Sequence, residues 1–407
     1  MRRRFTVAVV LLAALATSCA RADDHGPMTV GALYPTTGTL GVAGVEEQRG
    51  VQLAVELVNS NGGVDGRRLR LVTADSPTPE SARTALARLV GKGARLVFGS
   101  QSSAVSAATA VAARNQSLTF FETGAVGTVA VPGAGGRTFF RLAPMGANLG
   151  RAGIGFVSDQ LYPGRPLRWA VAYADDLYGT AVADGAVAEV ARRGGALAGK
   201  FAYDTHHFDP QAVAAAIAAS KPDAMFVSAY LDDGVALRRA TAASGMKLLA
   251  EIGTSSSYCH PAFGRALGAE AVGLFASDKP DAADVRADAL APEGRAALEW
   301  VIPRYKSRYH EDMSAPALSG FSGALGVLAH LLPVARSTSP PRVRAAAAKV
   351  RLGEGSLPNG SGLALAPLGA ADAGDNRAAT SVIWEWVAPG VRAVVWPQAY
   401  ATSQIVR

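Results

Sequence analysis

The chain alternates strand-like and helix-like segments in a regular order from Met28 onward. Short runs rich in β-branched and apolar residues precede longer alanine-rich runs in which apolar side chains recur at helical spacing. Strands separated by a helix must run parallel, and the connecting helices cover both faces of their sheet. This order predicts an α/β fold. The first set of predicted elements has strands at 28–33, 68–74, 94–98 and 118–121 and helices at 46–59, 79–90 and 102–114.

A second set with the same order follows the first. Its predicted strands lie at 168–172, 197–202, 224–228, 248–252 and 272–275, with helices between them. A chain of 407 residues is longer than one hydrophobic core usually supports. Two consecutive sets therefore predict two Rossmann-like lobes.

The last part of the chain does not repeat this alternation. Predicted helices at 293–309, 315–335 and 341–350 precede strand-like segments at 380–387 and 391–396. A mostly helical stretch at this point indicates that the chain crosses back to the first lobe. We expect lobe 1 to comprise 28–143 and about 279–350, and lobe 2 to comprise 144–278 and about 351–407, with hinge crossovers near 142–144 and 277–280.

The N-terminal segment has the features of a secretory signal. Arginines at 2–4 form a basic region, an apolar run from 5 to 16 follows, and small residues precede Cys19. We predict a signal peptide at 1–18 and a tether at 19–27 whose Cys19 carries a lipid, as in bacterial lipoproteins. Secretion without a lipid is the alternative. The protein would then be extracytoplasmic, anchored to the outer face of the cytoplasmic membrane or secreted.

Composition and charge exclude several classes of protein. A hydrophobic content of 49% can fill a core, which excludes a disordered chain. The net charge of +7 includes the arginines at 2–4, and no run of Lys and Arg suggests a nucleic-acid-binding surface. After the leader, no segment offers 18 uninterrupted apolar residues. Cys19 and Cys259 are the two cysteines, so lipidation of Cys19 would leave the fold without a disulfide.

The sequence lacks the motifs of the common catalytic sites. Neither the G-x-S-x-G pattern of serine hydrolases nor the Walker pattern of phosphate-binding loops is present. His206, His207 and His260 are the clustered imidazoles, and no Cys or carboxylate stands at ligand spacing from them. We therefore expect no enzymatic activity, no cofactor and no metal site.

Several motifs carry a resemblance to a known family. They are GALYPTTG at 31–38, NSNGGVDGR at 59–67, the following Asp75, and GDN at 374–376 before Trp384 and Trp396. With the leader and the order of elements, they resemble the leucine/isoleucine/valine-type extracytoplasmic solute-binding proteins of ABC importers, which have the type I periplasmic binding protein fold. The resemblance covers roughly residues 28–398.

The resemblance implies a protein that binds a small molecule between two lobes, at the carboxyl ends of the strands. Its implied partners are the permease and ATPase subunits of an ABC importer. It would be a monomer that reaches the membrane through its lipid and binds no nucleic acid. Two other functions stay open: a sensor of the same fold that signals to a receptor, and an exported hydrolase that uses Ser103 with a histidine.

The resemblance also implies a set of ligand-binding residues in the first lobe. The family holds a ligand carboxylate with hydroxyls and main-chain N–H groups at helix starts. Ser103 matches the carboxylate-binding serine, with Ser102 next to it, and both are also suited to cap the helix that follows. Ala125 would donate its main-chain N–H, and Val126 stands where the family has a threonine.

The second lobe contributes aromatic residues and one departure from the family. Tyr178 and Tyr230 match the positions that close over the ligand side chain. After the predicted strand 248–252, the amino-acid binders have a glutamate that pairs with the ligand ammonium, whereas this chain has Ser255. A buried ammonium without a carboxylate is costly. Either a neighbouring acid replaces the glutamate, or the ligand is a carboxylate without an amine, an amide or a urea-like molecule. The candidate acids are Asp175, Asp232, Asp233 and Glu122.

Overall fold

The computed structural model describes residues 26–129, 131, 133–254 and 256–406. The predicted signal peptide, Cys19 and Ser255 lie outside the described residues, as does the tether up to residue 25. The predictions that concern them therefore stay predictions.

The first sheet has five parallel strands in the described part of the chain. These are β1 (Met28–Tyr34), β2 (Leu69–Asp75), β3 (Leu96–Gly99), β4 (Thr119–Glu122) and β5 (Phe139–Arg141), in the spatial order β2-β1-β3-β4-β5. The helices that connect its first four strands are α1 (Gly41–Ser60), α2 (Pro79–Gly91) and α3 (Ser103–Asn115). The predicted alternation is confirmed here. Strand β5 was not predicted, since its three residues are too few to show a periodic pattern.

The second sheet has seven strands in the same described part. These are β6 (Arg168–Ala174), β7 (Ala196–Tyr203), β8 (Ala224–Ser228), β9 (Ala250–Thr254), β10 (Phe275–Asp278), β11 (Val382–Ala388) and β12 (Val391–Trp396). Their order is β12-β11-β10-β9-β8-β6-β7, and β11 is antiparallel to both of its neighbours. The helices that precede or connect its first five strands are α4 (Gly146–Phe156), α5 (Leu177–Arg192), α6 (Pro210–Ala219), α7 (Leu231–Ala243) and α8 (Pro261–Leu267).

The strand predicted at 272–275 lies later in the structure. A 3₁₀ turn ends at Ala271, and Gly273 adopts a φ of 82°, a left-handed conformation that interrupts an extended run. Strand β10 therefore begins at Phe275 and includes Ser277 and Asp278, which the sequence had suggested for the hinge. The crossover begins at Lys279.

The motif at 59–67 forms the turn that the sequence predicted. Gly62 and Gly63 have φ angles of 94° and 79°, and a Cβ on Gly63 would lie 2.1 Å from the carbonyl oxygen of Arg67. Asn59 closes the turn because its side-chain amide both donates to the main chain of Leu69, at 3.0 Å, and accepts from it, at 2.7 Å. The turn thereby connects α1 directly to β2.

The helices after the second set return to the first sheet. These are α9 (Pro292–Tyr309), α10 (Ala315–Leu325), a π-helical turn (Gly326–Leu331), α11 (Leu332–Ala335) and α12 (Pro340–Ala347). Helix α10 packs closely on α1: a Cβ on Gly50 would lie 2.0 Å from the carbonyl oxygen of Ala317, and one on Gly320 would lie 2.1 Å from that of Glu47. Glycine at these positions allows the two backbones to approach.

The segment before β11 packs near the junction of the lobes. Arg141 pairs with Asp375 as an isolated β-bridge, and Asn376 donates to the carbonyl oxygen of Leu142. The chain then joins the second sheet at Val382. The residue bounds of the two lobes stay a prediction.

The continuous helical stretch from Ala315 to Ala335 is long and apolar enough to span a membrane, with a mean hydropathy of 1.6. Of its most apolar window, 78% is buried inside the fold, where it packs against α1. Its apolar character therefore fits a core helix, which must bury its surface on all sides.

Candidate functional site

The two lobes meet where the carboxyl ends of their strands face each other. Gly127, in the loop after β4, lies between the two lobes: a Cβ at this position would be 2.6 Å from Ser103 Oγ and 2.8 Å from the carbonyl oxygen of Leu177. Leu177 is the first residue of α5, in the second lobe. Open α/β sheets bind ligands at this edge. The predicted site residues come from the loops that converge here.

Ser102 and Ser103 begin helix α3, as predicted. Ser102 is the N-cap residue, and its hydroxyl accepts a hydrogen bond from the main-chain N–H of Val105 at 3.4 Å. Ser103 Oγ accepts from the N–H of Gly127 at 3.0 Å. Both serines are half-buried. Ser102 thus caps the helix, while Ser103 joins the loops that follow β3 and β4.

Ala125 and Val126 do not have the exposed positions expected of ligand-binding residues. Both are buried, and the N–H of Ala125 donates to Glu122 Oε1 at 2.7 Å, so this predicted ligand contact already has a partner inside the protein. Val126 packs among apolar residues of the second lobe such as Leu149 and Val182. A valine in place of the threonine that the resemblance implies is therefore consistent with the apolar contacts at this position.

Glu122 is fully buried and turned into the first lobe. Its carboxylate accepts from the main-chain N–H groups of Ser100 (2.8 Å), Gly124 (2.8 Å) and Ala125 (2.7 Å), and also from the hydroxyl of Ser106. Burial raises the pKa of Glu122, and Arg141 together with the N–H donors opposes that rise. The sequence had offered Glu122 as a partner for a ligand ammonium. In the structure, its oxygens accept hydrogen bonds from the protein itself.

A second buried carboxylate, Glu47, was not predicted. Thr123 Oγ1 donates to Glu47 Oε1 and lies 2.6 Å from the hydroxyl of Tyr34. Burial and the charge of Glu122 raise the pKa of Glu47 to about 8, against the opposing influence of Lys279. One signal could have identified it: Glu47 occupies the same helical face as Val51, Ala54 and Val58, which the periodicity assigns to the core.

Gly124 is enclosed by side-chain oxygens. A Cβ at this position would lie 2.2 Å from Gln101 Oε1 and 2.3 Å from Glu47 Oε2. Any other residue would displace one of them. Gln101 itself adopts a φ of 69°, the left-handed conformation that non-glycine residues rarely take.

Two buried cations hold the loop after β4. Lys279, in the crossover after β10, donates to the carbonyl oxygen of Gly124 at 2.9 Å. Arg141 donates to the carbonyl oxygens of Ala125 and Gly127 and forms an ion pair with Asp375. Both cations are at most 5% exposed. The loop is therefore tied to segments that connect the lobes.

The second lobe brings the predicted tyrosines together. The rings of Tyr178 and Tyr230 lie 5.3 Å apart, at an angle of 51°. The Tyr178 hydroxyl lies 2.8 Å from Thr254 Oγ1, and the Tyr230 hydroxyl donates to Asp176 Oδ2 at 2.5 Å. The N–H of Ser256 also points to the Tyr178 hydroxyl, at 3.5 Å. The pair forms an aromatic cluster next to Leu177, in which Tyr178 is buried and Tyr230 is half-buried.

The acids proposed to replace a family glutamate occupy different environments. Asp233 is buried, accepts from the Tyr203 hydroxyl at 2.6 Å and has a pKa raised by burial. Asp175 and Asp232 are exposed. Asp176 is the acid that contacts Tyr230, and its other oxygen caps α5 through the N–H of Gly179 at 2.8 Å.

The geometry gives no support to hydrolysis at Ser103. Its hydroxyl has a main-chain N–H of Gly127 as its partner, where a nucleophile needs a base. Across the described residues, no group of three His, Cys, Asp or Glu is placed to hold a metal ion.

Two α/β lobes whose strand ends face each other, lined by hydroxyls and an aromatic pair, define a two-lobed binding protein for small molecules. The chain belongs to the periplasmic binding protein family, whose model matches residues 27–395. It is accordingly an extracytoplasmic solute-binding protein and not an enzyme, which confirms the predicted fold class and role.

Curated relatives match over nearly the whole chain. The Leu/Ile/Val-binding protein homolog 8 of Brucella suis biovar 1 is 25% identical over 404 residues, which cover 97% of this chain and 96% of the relative. The Leu/Ile/Val-binding protein homolog 7 of Brucella abortus is 25% identical over 405 residues, with 98% of each chain covered.

Solved structures share the fold at lower identity. The leucine-binding protein LivK of Thermotoga maritima superposes with a TM-score of 0.73 at 17% identity, covering 90% of this chain and 97% of its own. The protein LivJ of Streptococcus pneumoniae, in complex with isoleucine, gives 0.68 at 19% identity, with coverages of 91% and 100%. A solute-binding protein of R. palustris, in complex with benzoate, gives 0.70 at 19% identity, with coverages of 93% and 98%.

Proposed function

We propose that this protein captures a small polar or amphipathic solute between its lobes and delivers it to the permease and ATPase subunits of an ABC importer. The observation that carries the proposal is the convergence, at one edge, of Ser103 and Gly127 from the first lobe with Leu177 and the tyrosine pair from the second. The names of the relatives, which refer to Leu, Ile and Val, and the isoleucine and benzoate complexes of the neighbours support it.

In this proposal each lobe supplies a distinct kind of contact. The half-buried Ser103 offers a hydroxyl at the start of α3, and Tyr230 offers an apolar ring whose hydroxyl is held by Asp176. Leu177 is 45% exposed, which suits an apolar contact with the solute. Closure of the lobes would bury these groups against the ligand, so binding and closure are linked.

We also propose that the mature protein is a monomer attached to the membrane by a lipid on Cys19. The support is the leader sequence, in which small residues precede Cys19 after a basic and apolar segment. A lipid at this position, followed by a short polar tether, would keep the binding lobes beside the permease.

The test is solute binding followed by compaction. The chain from Asp23 onward is screened by thermal shift against amino acids, aromatic acids, amides and polyols, and native mass spectrometry identifies any solute that copurifies. A bound solute raises the melting temperature by mass action. Small-angle X-ray scattering with the best solute should show a smaller radius of gyration.

A matched pair of variants locates the site. Tyr230→Phe removes the hydroxyl that Asp176 holds, whereas Tyr162→Phe removes a hydroxyl that donates to the carbonyl oxygen of Leu249, away from the facing strand ends. We expect the first variant to weaken binding and the second to leave it unchanged. Equal effects of the two variants, or no binding and no compaction with any solute, would contradict the proposal.

A further inference from the structure

Three main-chain N–H groups converge on one carboxylate at the edge of the first sheet. They belong to Ser100, after β3, and to Gly124 and Ala125, after β4, and all three donate to the Glu122 carboxylate at 2.7–2.8 Å. Successive N–H groups arranged in this way form an anion-binding concavity. Here the anion is a side chain of the protein itself.

Several other donors near this edge are already used within the fold. The N–H of Gly127 donates to Ser103 Oγ. Lys279 and Arg141, the two buried cations of this region, donate to carbonyl oxygens of the loop after β4. A carboxylate arriving from solution therefore meets no free cation among these groups, and it would lie beside the charge of Glu122.

The buried polar atoms without a hydrogen-bond partner in this region are acceptors, not donors. Gln101 is half-buried, and its Oε1 is a buried oxygen without a hydrogen-bond partner in the described structure, as is the neighbouring Oε2 of Glu47. A buried acceptor of this kind is stabilised by a donor such as an amide N–H or a hydroxyl. In the second lobe, Asp175 and Asp232 are exposed acceptors, whereas both oxygens of Asp176 already accept hydrogen bonds from Tyr230 and Gly179.

We propose that Glu122 is a specificity-determining residue: it fills the main-chain anion site of the first lobe, so that the solute bound there lacks a carboxylate and presents an amide or hydroxyl donor to Gln101. This inference rests on the proposed solute-binding function and narrows its ligand class. The first turn of α3 is the remaining anion-binding group at this edge, and tight carboxylate binding there is the outcome that opposes the proposal.

The first experiment compares acids with their amides. Isothermal titration of the wild-type protein uses leucine with leucinamide, benzoate with benzamide, and isovalerate with isovaleramide. For any of these pairs that binds, we expect the amide to bind at least tenfold more tightly than the corresponding acid. Glu122→Gln should reduce that ratio by tenfold or more, because the negative charge beside the site is removed.

Glu251→Gln is the matched control for this variant. Glu251 is also a fully buried carboxylate, but it lies in the second lobe, where it accepts from Tyr258 and Arg238. Its replacement removes a buried charge of the same kind, and the amide-to-acid ratio should stay at the wild-type value.

The second experiment requires no knowledge of the ligand. Glu122→Ala leaves the three N–H groups without their acceptor and opens a cavity of carboxyl size. Acetate should raise the melting temperature of this variant by several degrees, acetamide should do so less, and neither should shift the wild-type protein. Glu122→Ser, which keeps a small acceptor, is used in the same way if the alanine variant does not fold.

The outcomes separate this inference from the proposed function. Wild-type binding of acids as tight as that of amides, with a ratio that Glu122→Gln leaves unchanged, overturns the role of Glu122 and leaves solute binding intact. If neither member of any pair binds, the acetate experiment decides. A rise in melting temperature with acetate that is seen for Glu122→Ala and not for the wild type supports the filled anion site, and the absence of such a rise overturns it. Failure of the proposed function is seen separately, as no binding and no compaction with any solute.

Discussion

Glu47→Gln should change how the stability of the protein depends on pH. Glu47 lies on the buried face of α1, where burial and the charge of Glu122 raise its pKa from 4.5 to about 8. Glutamine keeps the shape and the acceptor for Thr123 but cannot ionise. The variant therefore removes one titration from the folded state and leaves the packing against α10 in place.

The sign and size of the effect follow from proton linkage. A carboxyl group whose pKa is higher in the folded state binds its proton more tightly there, so its contribution to stability is complete below pH 4.5 and is lost as the pH rises through about 8. Each pH unit between these values changes the free energy of unfolding by about 1.4 kcal/mol. From about pH 5.5 to about pH 7.5, the wild-type protein should lose about 2 to 3 kcal/mol relative to the Gln variant.

The assay is urea unfolding of both ligand-free proteins at several pH values in that interval. The difference between their free energies of unfolding reports Glu47 together with its interaction with Glu122, since the other groups titrate in both proteins. Glu189→Gln serves as the control: the hydrogen bond from Arg192 is the main cause that lowers the pKa of Glu189. Its contribution is present above pH 4.5 and lost only below it, so this control should give a constant difference across the interval.

Parallel curves for the wild type and Glu47→Gln would refute the reasoning. They would mean that Glu47 is already ionised at about pH 5.5, which requires a closer cation than Lys279 or access to water. A difference that rises with pH in favour of the wild type would refute the sign as well.

Three further predictions concern the anchor and the first-lobe loops. Cys19→Ala should move the protein from the membrane fraction to the soluble fraction, measured by fractionation after a salt wash; retention on the membrane would contradict lipidation. Ser103→Ala should weaken solute binding by about 1 to 3 kcal/mol in calorimetric titrations, because the solute loses the hydroxyl that Ser103 offers; unchanged affinity would remove Ser103 from the site. Gly124→Ala should lower the melting temperature, since its Cβ would overlap Gln101 Oε1 and Glu47 Oε2, and an unchanged value would show that the loop adjusts freely.

The sequence by itself determined the order of elements and several local structures. Alternating periodicity is a local property, so it predicted the parallel strands, and its end indicated that the helical stretch crosses back to the first lobe. The structure shows that the helices at 315–335 pack against α1. The turn at 59–67 could be predicted because glycines commonly adopt the left-handed conformation that ends a helix, as Gly62 and Gly63 do here. Tyr178 and Tyr230 were singled out by resemblance, and the structure places their rings 5.3 Å apart.

Tertiary structure decided which polar groups are available to a ligand. The resemblance implied that Ala125 donates its N–H to a ligand, and Glu122 was a candidate partner for an ammonium, yet the two are bonded to each other at 2.7 Å. The bond to Ala125 is local, but another main-chain donor to this carboxylate, Ser100, lies 22 residues away in the sequence, and the pairing of β3 with β4 brings it to Glu122. Glu47 is similar: its pKa of about 8 results from the backbone contact between α1 and α10, which removes water from a carboxylate that would otherwise be exposed.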